Sequence, residues 1–140
     1  MAYVTGSPQG VGRYMKDYNV KVWEGKKLGN NISIDTETNI APFHTRNHRM
    51  ITCQVYDGKD TVYFVEKRHV RRFLNLHKKS NLIMQNAPFD VQVLSHITGW
   101  HVWYELYDNN KIWDTKILYI LYTLAATGIA SRESSLALIC

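Results

Sequence analysis

The chain has 140 residues, 45% of them hydrophobic and 21% charged, which excludes a disordered or collagen-like chain and favours one globular domain. Its 17 Lys and Arg outnumber 12 Asp and Glu, and the formal charge of +5 suits a polyanionic partner without proving one. Two cysteines give no disulfide framework, so a reducing, cytoplasmic compartment is expected. No apolar run approaches the ~20 residues of a membrane span, and the N-terminus lacks the apolar core of a signal peptide.

The first 30 residues are weakly patterned and are expected to form an N-terminal extension of unknown role, apart from a short strand over residues 20–23. Regular structure is predicted from Ile32 onward, where residues 32–35 have the pattern of a strand. Two further strands, Met50–Tyr56 and residues 61–65, flank an Asp57–Gly58 turn signal. An antiparallel hairpin is therefore expected there.

The second half of the chain alternates helices and strands. Helices are predicted over residues 67–79 and 89–97, with a short strand over residues 82–85 between them. An aromatic-rich loop over residues 99–110 is expected to lead into a short strand and a helix over residues 115–127. Gly128 stands at the usual end position of that helix, and Ser134 or Ser135 is expected to begin one more. This order predicts an α/β domain with helices packed on a mixed sheet.

Asp35 and Glu37 are the first candidate chemical residues. They end the strand I-D-T-E-T, and side chains two residues apart on a strand point to the same side, while Thr36 faces the other way. Two neighbouring carboxylates repel each other, and a divalent cation such as Mg²⁺ or Mn²⁺ removes that repulsion. The alternative is a polar strand end that runs into a turn, because the motif is short.

Asp90 is a third candidate because it interrupts an apolar stripe. An acidic residue in the first turn of a helix is an ordinary start signal. Val93 and Leu94, however, follow at the spacing of one helix face, so Asp90 is predicted to share their buried side. A buried acid needs a partner, and a metal ion shared with Asp35 and Glu37 would be one.

Several other polar residues have simpler explanations. Asp114 precedes the last helix and is expected to cap its first turn, or alternatively to support a metal site from behind. The set of His44, His48 and Cys53 fits no strong zinc spacing. The basic helix over residues 67–79 is expected to present a solvated face or a phosphate-facing patch, with its two histidines, His69 and His77, in solvent.

Three segments together resemble the DnaQ-like 3′–5′ exonucleases: I-D-T-E-T, L-I-M-Q-N-A-P-F-D-V-Q-V-L after a hairpin, and I-W-D-T-K-I-L. The most similar subgroup is the proofreading domain of type I-like DNA polymerases of bacteria and phages. Asp35 and Glu37 match the first family motif, D-x-E. Asn86, with the aromatic–acid pair of Phe89 and Asp90, matches the second. Residues 31–140 are accordingly identified as a partial exonuclease-like domain.

The resemblance implies a ribonuclease-H-like fold with three α/β/α layers, and hydrolysis of phosphodiester bonds at nucleic-acid 3′ ends by a two-metal mechanism. Two divalent cations, Mg²⁺ or Mn²⁺, are implied. Asp35 would bridge them, Glu37 would bind the one that activates water, and Asp90 would hold the second. The implied substrate is a single-stranded DNA 3′ end, with RNA not distinguished. The implied substrate-binding residues are Thr36, Thr38, Asn86 and Phe89.

The sequence departs from the family at its end, because no Tyr or His followed by Asp supplies the third motif before Cys140. The chain is therefore expected to be truncated, weak as an exonuclease on its own, and partnered by the remainder of a polymerase or exonuclease chain in a bacterial cell or phage-infected host. One alternative is a catalytically defective nucleic-acid- or partner-binding module of the same fold. Another is an RNA-processing exonuclease of the superfamily.

Overall fold

The structure is a computed structural model that describes residues 19–39 and 48–131. Its strands are β1 (Asn19–Val22), β2 (Asn31–Thr38), β3 (Met50–Tyr56), β4 (Thr61–Phe64), β5 (Asn81–Met84) and β6 (Ile112–Asp114). Its helices are α1 (Val70–His77), which follows a 3₁₀ turn over Lys67–His69, α2 (Ala87–Thr98), α3 (Trp100–Asp108) and α4 (Thr115–Thr127).

The described strands form one mixed sheet in the order β1-β4-β3-β2-β5-β6. The pairs β2–β3 and β3–β4 are antiparallel, while β1–β4, β2–β5 and β5–β6 are parallel. The predicted hairpin is confirmed as β3 and β4, and Gly58 in its turn has a φ of 85°, which glycine adopts without strain. The predicted α/β class with a mixed sheet is also confirmed.

One face of the sheet carries the hydrophobic core. Along β2, buried residues alternate with exposed ones up to Glu37, which is the pattern of a strand covered on one side. Ile32 and Ile34 from β2, with Leu82 and Met84 from β5, belong to the same buried cluster as apolar residues of α1, α2 and α3. These helices therefore pack on the face opposite to Asp35.

The N-terminal part of the described chain belongs to the same body. β1 pairs in parallel with β4, and Trp23, which follows it, is 1% exposed within the core. The indole N–H of Trp23 donates to the carbonyl of Lys26 at 2.7 Å. Residues 19–30, assigned from the sequence to an extension, thus supply an edge strand and a core side chain.

The prediction of a loop over residues 99–110 is wrong, because α3 occupies most of this segment. Gly99, with a φ of 84°, ends α2, and a new helix begins at Trp100. Trp103 and Leu106 are three residues apart and bury one side of α3, while the aromatic residues on its other side stay exposed. Aromatic residues on both sides of the helix obscured the 3.6-residue period in the sequence.

The expected solvation of His77 is also wrong, since this side chain is fully buried. Its Nε2 accepts a hydrogen bond from the Leu28 N–H at 2.8 Å, and its Nδ1 lies 2.8 Å from the carbonyl oxygen of Phe73, to which it donates in the neutral tautomer. Burial lowers the pKa of His77 below its ordinary value. His77 is therefore a neutral core residue that ties α1 to the segment before β2.

The last described helix, α4, has the predicted bounds and ends at Gly128 with a φ of 74°. No residue of α4 is buried. Its apolar side chains at the predicted helical spacing are largely exposed, including Leu118 and Leu121. The further helix predicted from Ser134 or Ser135 lies outside the described residues. Within residues 19–39 and 48–131, no helix has both the length and the hydropathy needed to cross a bilayer.

Candidate active site

The candidate site lies where three parallel strands end. β2, β5 and β6 run in the same direction, and the segments that follow their carboxyl ends carry the polar residues singled out in the sequence. Ligand sites in open α/β sheets form outside this edge, because loops and helix starts converge there. The topology therefore brings the D-x-E strand, the first turn of α2 and Asp114 to one edge of the sheet.

Asp35 and Glu37 occupy the exposed face of β2, with Thr36 buried on the other face, as the strand period predicts. The pairing of β2 with β3 shifts between Glu37 and Thr38, which pair with Thr52 and Met50, so Ile51 of β3 is an extra residue opposite the end of the acidic pair. Burial raises the pKa of the Asp35 carboxyl above its ordinary value, and the negative charge of Glu37 raises it further. The two carboxylates therefore repel each other, as expected.

Asp90 lies on the buried side of α2, as the apolar stripe predicts, and its side chain is 2% exposed. Its Oδ1 accepts hydrogen bonds from the Thr36 hydroxyl at 2.7 Å and from the Thr36 N–H at 2.9 Å. Burial raises the pKa of Asp90 to about 6; the Thr36 hydrogen bonds oppose this rise, and the charge of Asp35 adds to it. Asp90 is thus coupled to the D-x-E strand through both Thr36 and Asp35.

The donor set fits a divalent cation in part. Asp35 and Glu37 are adjacent oxygen ligands on one face, and a cation would relieve the repulsion that raises the pKa of Asp35. Asp90 meets the strand from the helix-covered face, where Thr36 already engages its Oδ1. Among the described residues, no group of three or more His, Cys, Asp or Glu side chains is placed to hold a metal ion. The predicted convergence of three carboxylates is therefore not assembled in this structure.

Asp114 connects two helix starts. Its carboxylate caps α4 by accepting from the N–H groups of Lys116 and Ile117, which confirms the predicted capping role. The same carboxylate accepts from the N–H of Asn86 at 3.1 Å and of Ala87 at 2.9 Å. Asp114 therefore also fixes the turn that leads into Asp90, a link that the sequence could not reveal because it spans 27 residues.

Asn86 has a left-handed backbone, with φ 65° and ψ 55°, immediately before α2. Residues other than glycine adopt this conformation at a cost of about 1–2 kcal/mol, and asparagine tolerates it best. Its N–H is held by Asp114, and its carbonyl accepts from the N–H of Phe89 at 3.0 Å. Strained backbone of this kind clusters at binding sites, which supports the substrate-binding role predicted for Asn86.

Replacing Asn86 by glycine or by alanine tests whether its left-handed backbone conformation is strained. Asn86→Gly is expected to change the free energy of unfolding by less than about 0.5 kcal/mol, because relief of strain offsets the greater freedom of the unfolded chain. Asn86→Ala is expected to lower the free energy of unfolding by about 1 kcal/mol, since alanine tolerates the left-handed conformation less well than asparagine or glycine. Urea denaturation of both variants measures the difference. Equal losses in the two variants would contradict a strained turn.

The remaining predicted substrate residues are placed differently from one another. Thr36 is buried and its hydroxyl donates to the Asp90 carboxylate, so its side chain holds that acid in place. Thr38 is half-buried beside the shift in the pairing of β2 with β3. Phe89 is half-buried, and its ring packs edge-on against His48 with ring centres 5.4 Å apart.

His48 is a site neighbour that the sequence did not single out for this role. It lines a cavity of 160 Å³ together with Asn86, Pro88, Phe89 and Gln92. The only sequence signal was its position just before β3, and the zinc alternative drew attention to the wrong partners. Cys53 is buried in the core, and burial raises the pKa of its thiol to about 12, so it is a poor metal ligand. His44 lies outside the described residues.

Comparisons with known proteins bear on the fold. The sequence matches no protein-family model and no curated protein. The structure is similar to NrnC from Brucella melitensis with bound Mg²⁺, with a TM-score of 0.56, 19% identity, and coverage of 89% of this chain and 60% of that one. It is also similar to the EXO domain of Nibbler from Aedes aegypti, with a TM-score of 0.52, 11% identity, and coverage of 79% and 57%.

A third similar structure is the apo form of a nuclease, with a TM-score of 0.52, 17% identity, and coverage of 86% of this chain and 57% of that one. The chain thus spans about 60% of the length of the structures that it matches. At these identities the likeness concerns the fold, and it supports the resemblance to DnaQ-like exonucleases at that level. The described part of the chain has the mixed-sheet α/β fold of these structures, in agreement with the predicted ribonuclease-H-like fold.

Proposed function

We propose that the protein is a metal-dependent 3′–5′ exonuclease that hydrolyses phosphodiester bonds at the 3′ ends of single-stranded nucleic acid. The observation that carries the proposal is the acidic edge itself. Asp35 and Glu37 share one face of β2, and the negative charge of Asp35 raises the pKa of the buried Asp90. The fold that carries these acids is also found among nuclease structures. A basic chain, with a formal charge of +5, suits a polyanionic substrate.

Asp35 and Glu37 would hold the divalent cation, Mg²⁺ or Mn²⁺, and we assign Asp90 to a second one. Bound cations of this kind activate water and stabilise the charge that develops on the reacting phosphate. The chain itself supplies position: Thr36 holds the Asp90 carboxylate, and Asp114 holds the turn before it. Asn86 and Phe89 are assigned to the substrate, since both line the small cavity at this edge.

Among the described residues no three acidic or other metal-binding side chains are grouped to hold a cation, so the chain alone is proposed to be a weak nuclease. A missing acid–base group typically lowers the rate by about 10²–10⁴-fold. The proofreading role that the sequence suggested has no support from the similar structures described above, none of which is named as a polymerase. The proposal is accordingly limited to nucleic-acid 3′ ends.

The test uses single-stranded DNA and RNA oligonucleotides labelled at the 5′ end, incubated with the protein at increasing concentrations of Mn²⁺. Wild type is expected to shorten at least one strand from the 3′ end in single-nucleotide steps. Asp35→Asn is expected to lower this rate at least about 10²-fold, because a carboxylate that would hold the cation becomes a neutral amide. Asp108→Asn is the matched control, since Asp108 is exposed on α3 and removes the same charge elsewhere.

Calorimetric titration of Mn²⁺ into the same three proteins separates binding from turnover. Wild type and Asp108→Asn are expected to bind with equal affinity, and Asp35→Asn more weakly. Degradation that is unchanged in Asp35→Asn, or Mn²⁺ binding that is equal in all three, would overturn the proposed site. A 5′-end or internal product pattern would overturn the proposed direction.

A further inference from the structure

The exposed side of α1 concentrates the positive charge of the chain. Six of the 17 Lys and Arg lie within residues 67–79, which contain no Asp or Glu, so 11 remain elsewhere against 12 acidic residues. The formal charge of +5 therefore comes from this one segment, and the rest of the chain is close to neutral. Charge concentrated in this way produces a positive potential over one part of the molecular surface.

The helical period places these cations on the solvent side of the segment. The buried residues of α1 recur at spacings of three and four, and the residues between them are exposed. From Arg71 to Lys78 the exposed side extends about 10 Å along the helix axis. We call the six exposed cations the basic surface: Lys67, Arg68, Arg71, Arg72, Lys78 and Lys79.

The segment between β1 and β2 brings further positive charge to α1. The guanidinium of Arg72 lies against the backbone of Gly25, where a Cβ would be 3.0 Å from Arg72 Nη2. At the other end of α1, burial lowers the pKa of His77, and the nearby charge of Lys27 lowers it further. Lys26 and Lys27 are both exposed. Two lysines therefore adjoin the basic surface.

Little of this charge is neutralised within the described part of the protein. Glu66 forms an ion pair with Arg68 at 2.8 Å, and Arg71 donates to the carbonyl oxygen of Ile97 at 3.3 Å. Within residues 19–39 and 48–131, no carboxylate lies at ion-pair distance from any other member of the basic surface. Five of the six cations are thus left without a carboxylate partner there.

This arrangement is unfavourable for α1 itself. Arg71 and Arg72 lie in its first turn, which contains no acidic residue, although the helix dipole favours negative charge at this end. Arg68 precedes these two arginines by three and four residues, a spacing at which like charges on a helical segment repel each other. A bound polyanion would relieve both effects, so the charge pattern indicates an anionic ligand.

The cations suit phosphate groups in particular. Guanidinium groups, of which the basic surface has three, bind phosphate oxygens through two parallel hydrogen bonds. A nucleic-acid strand carries one phosphate per ~3.4 Å of helix axis, so a surface about 10 Å long faces several of them at once. Because α1 packs on the face of the sheet opposite to Asp35, these phosphates are not the ones at the acidic edge.

We propose that the basic surface of α1 binds the phosphate backbone of nucleic acid, at a distance from the 3′ end that enters the acidic edge. The inference rests on the proposed function for its choice of nucleic acid among polyanions. It adds an anchoring surface outside the carboxylate site. It also predicts that a long strand binds more tightly than a short one.

The test is a binding titration with a long single-stranded oligonucleotide, followed by fluorescence anisotropy in EDTA at several salt concentrations. Each neutralised phosphate of a single strand contributes about −0.7 to the slope of log affinity against log salt. Lys78→Gln combined with Lys79→Gln is therefore expected to reduce the slope by about 1.4 and to weaken binding on the order of 10-fold at low salt. A trinucleotide, too short to reach both surfaces, is expected to bind wild type and this variant equally.

Lys21→Gln combined with Lys59→Gln is the matched control. It removes the same charge from exposed positions on β1 and in the turn between β3 and β4, outside the basic surface. Its affinity and its salt slope are expected to equal those of wild type. Urea denaturation checks that both double variants fold.

Equal losses in the two double variants, or an unchanged slope in Lys78→Gln/Lys79→Gln, would overturn the proposal. Wild type that binds phosphatidylserine vesicles and no oligonucleotide would overturn it in favour of a membrane surface, and equally tight binding of polyglutamate would do so in favour of an acidic protein. Asp35→Asn is expected to bind the long strand as wild type does while losing hydrolysis. Absence of hydrolysis in wild type, with binding that depends on Lys78 and Lys79, therefore contradicts the proposed function alone.

Discussion

Asp90→Asn is expected to stabilise the metal-free protein at pH 7 by on the order of 2 kcal/mol, although it removes an acid from the candidate site. The reason is that Asp90 is 2% exposed and its pKa is raised to about 6, so its charged form is unfavourable in the fold. The asparagine oxygen can still accept the two hydrogen bonds from Thr36. Urea denaturation in EDTA measures the change in the free energy of unfolding.

The dependence on pH identifies the group. An unfolded aspartate has a pKa near ~3.9. Between about pH 4 and pH 6 the folded wild type holds a proton that the unfolded chain has lost, so wild-type stability falls as the pH rises through this window. The gain in the free energy of unfolding of Asp90→Asn over wild type is therefore expected to be absent at pH 4, to grow up to about pH 6 and to stay constant above it. Asp108→Asn is expected to show no such window.

Mn²⁺ is expected to reverse the order of stability at pH 7, so that wild type becomes more stable than Asp90→Asn. Binding to the folded state alone adds stability, and the wild type has the additional carboxylate to offer. A difference that persists unchanged at pH 4 would show that the effect comes from packing and not from ionisation. A difference that Mn²⁺ leaves unaltered would separate Asp90 from the metal site while leaving its raised pKa in place.

The placement of the three acids on their own strand or helix was predictable because it depends on local periodicity. The two-residue period of β2 sets Asp35 and Glu37 on one face, and the helical period sets Asp90 on the buried side of α2. What the sequence could not reveal is the meeting of these elements across 54 residues, where Thr36 donates two hydrogen bonds to the Asp90 carboxylate. Asp35, Glu37 and Asp90 were expected to converge on one site. In the structure Asp90 instead contacts Thr36, on the opposite face of β2 from Asp35 and Glu37.

The fold was predictable where one residue type dominates a face, and not elsewhere. The hairpin of β3 and β4 and the bounds of α4 follow from alternation, turn residues and Gly128. The helix α3 escaped prediction because aromatic residues occupy both its sides. The burial of His77 escaped it because the N–H of Leu28, 49 residues away, supplies the hydrogen bond that makes a buried imidazole tolerable.

Asp114→Ala is expected to destabilise the protein by about 2–4 kcal/mol, the largest loss among single changes at this edge of the sheet. The carboxylate accepts from four backbone N–H groups, two at the start of α4 and two in the turn before α2. Loss of the cap alone accounts for about 0.5–2 kcal/mol. The unpaired N–H groups of Asn86 and Ala87 add the rest, in a turn whose left-handed residue needs tertiary support.

Amide hydrogen exchange distinguishes the two halves of this role. If Asp114 were only a helix cap, Asp114→Ala would speed exchange at Lys116 and Ile117 and leave Asn86 and Ala87 protected. We expect all four amides to lose protection, because one carboxylate serves both segments. Asp114→Asn is the matched variant: with its amide oxygen in the place of Oδ1 it still accepts from Asn86, Lys116 and Ile117, so it is expected to lose less stability and to lose protection at Ala87 alone. Since the freed turn leads directly into Asp90, Asp114→Ala is also expected to weaken Mn²⁺ binding, although Asp114 itself is not assigned to the cation. Unchanged Mn²⁺ affinity in a folded Asp114→Ala protein would show that the turn does not position Asp90.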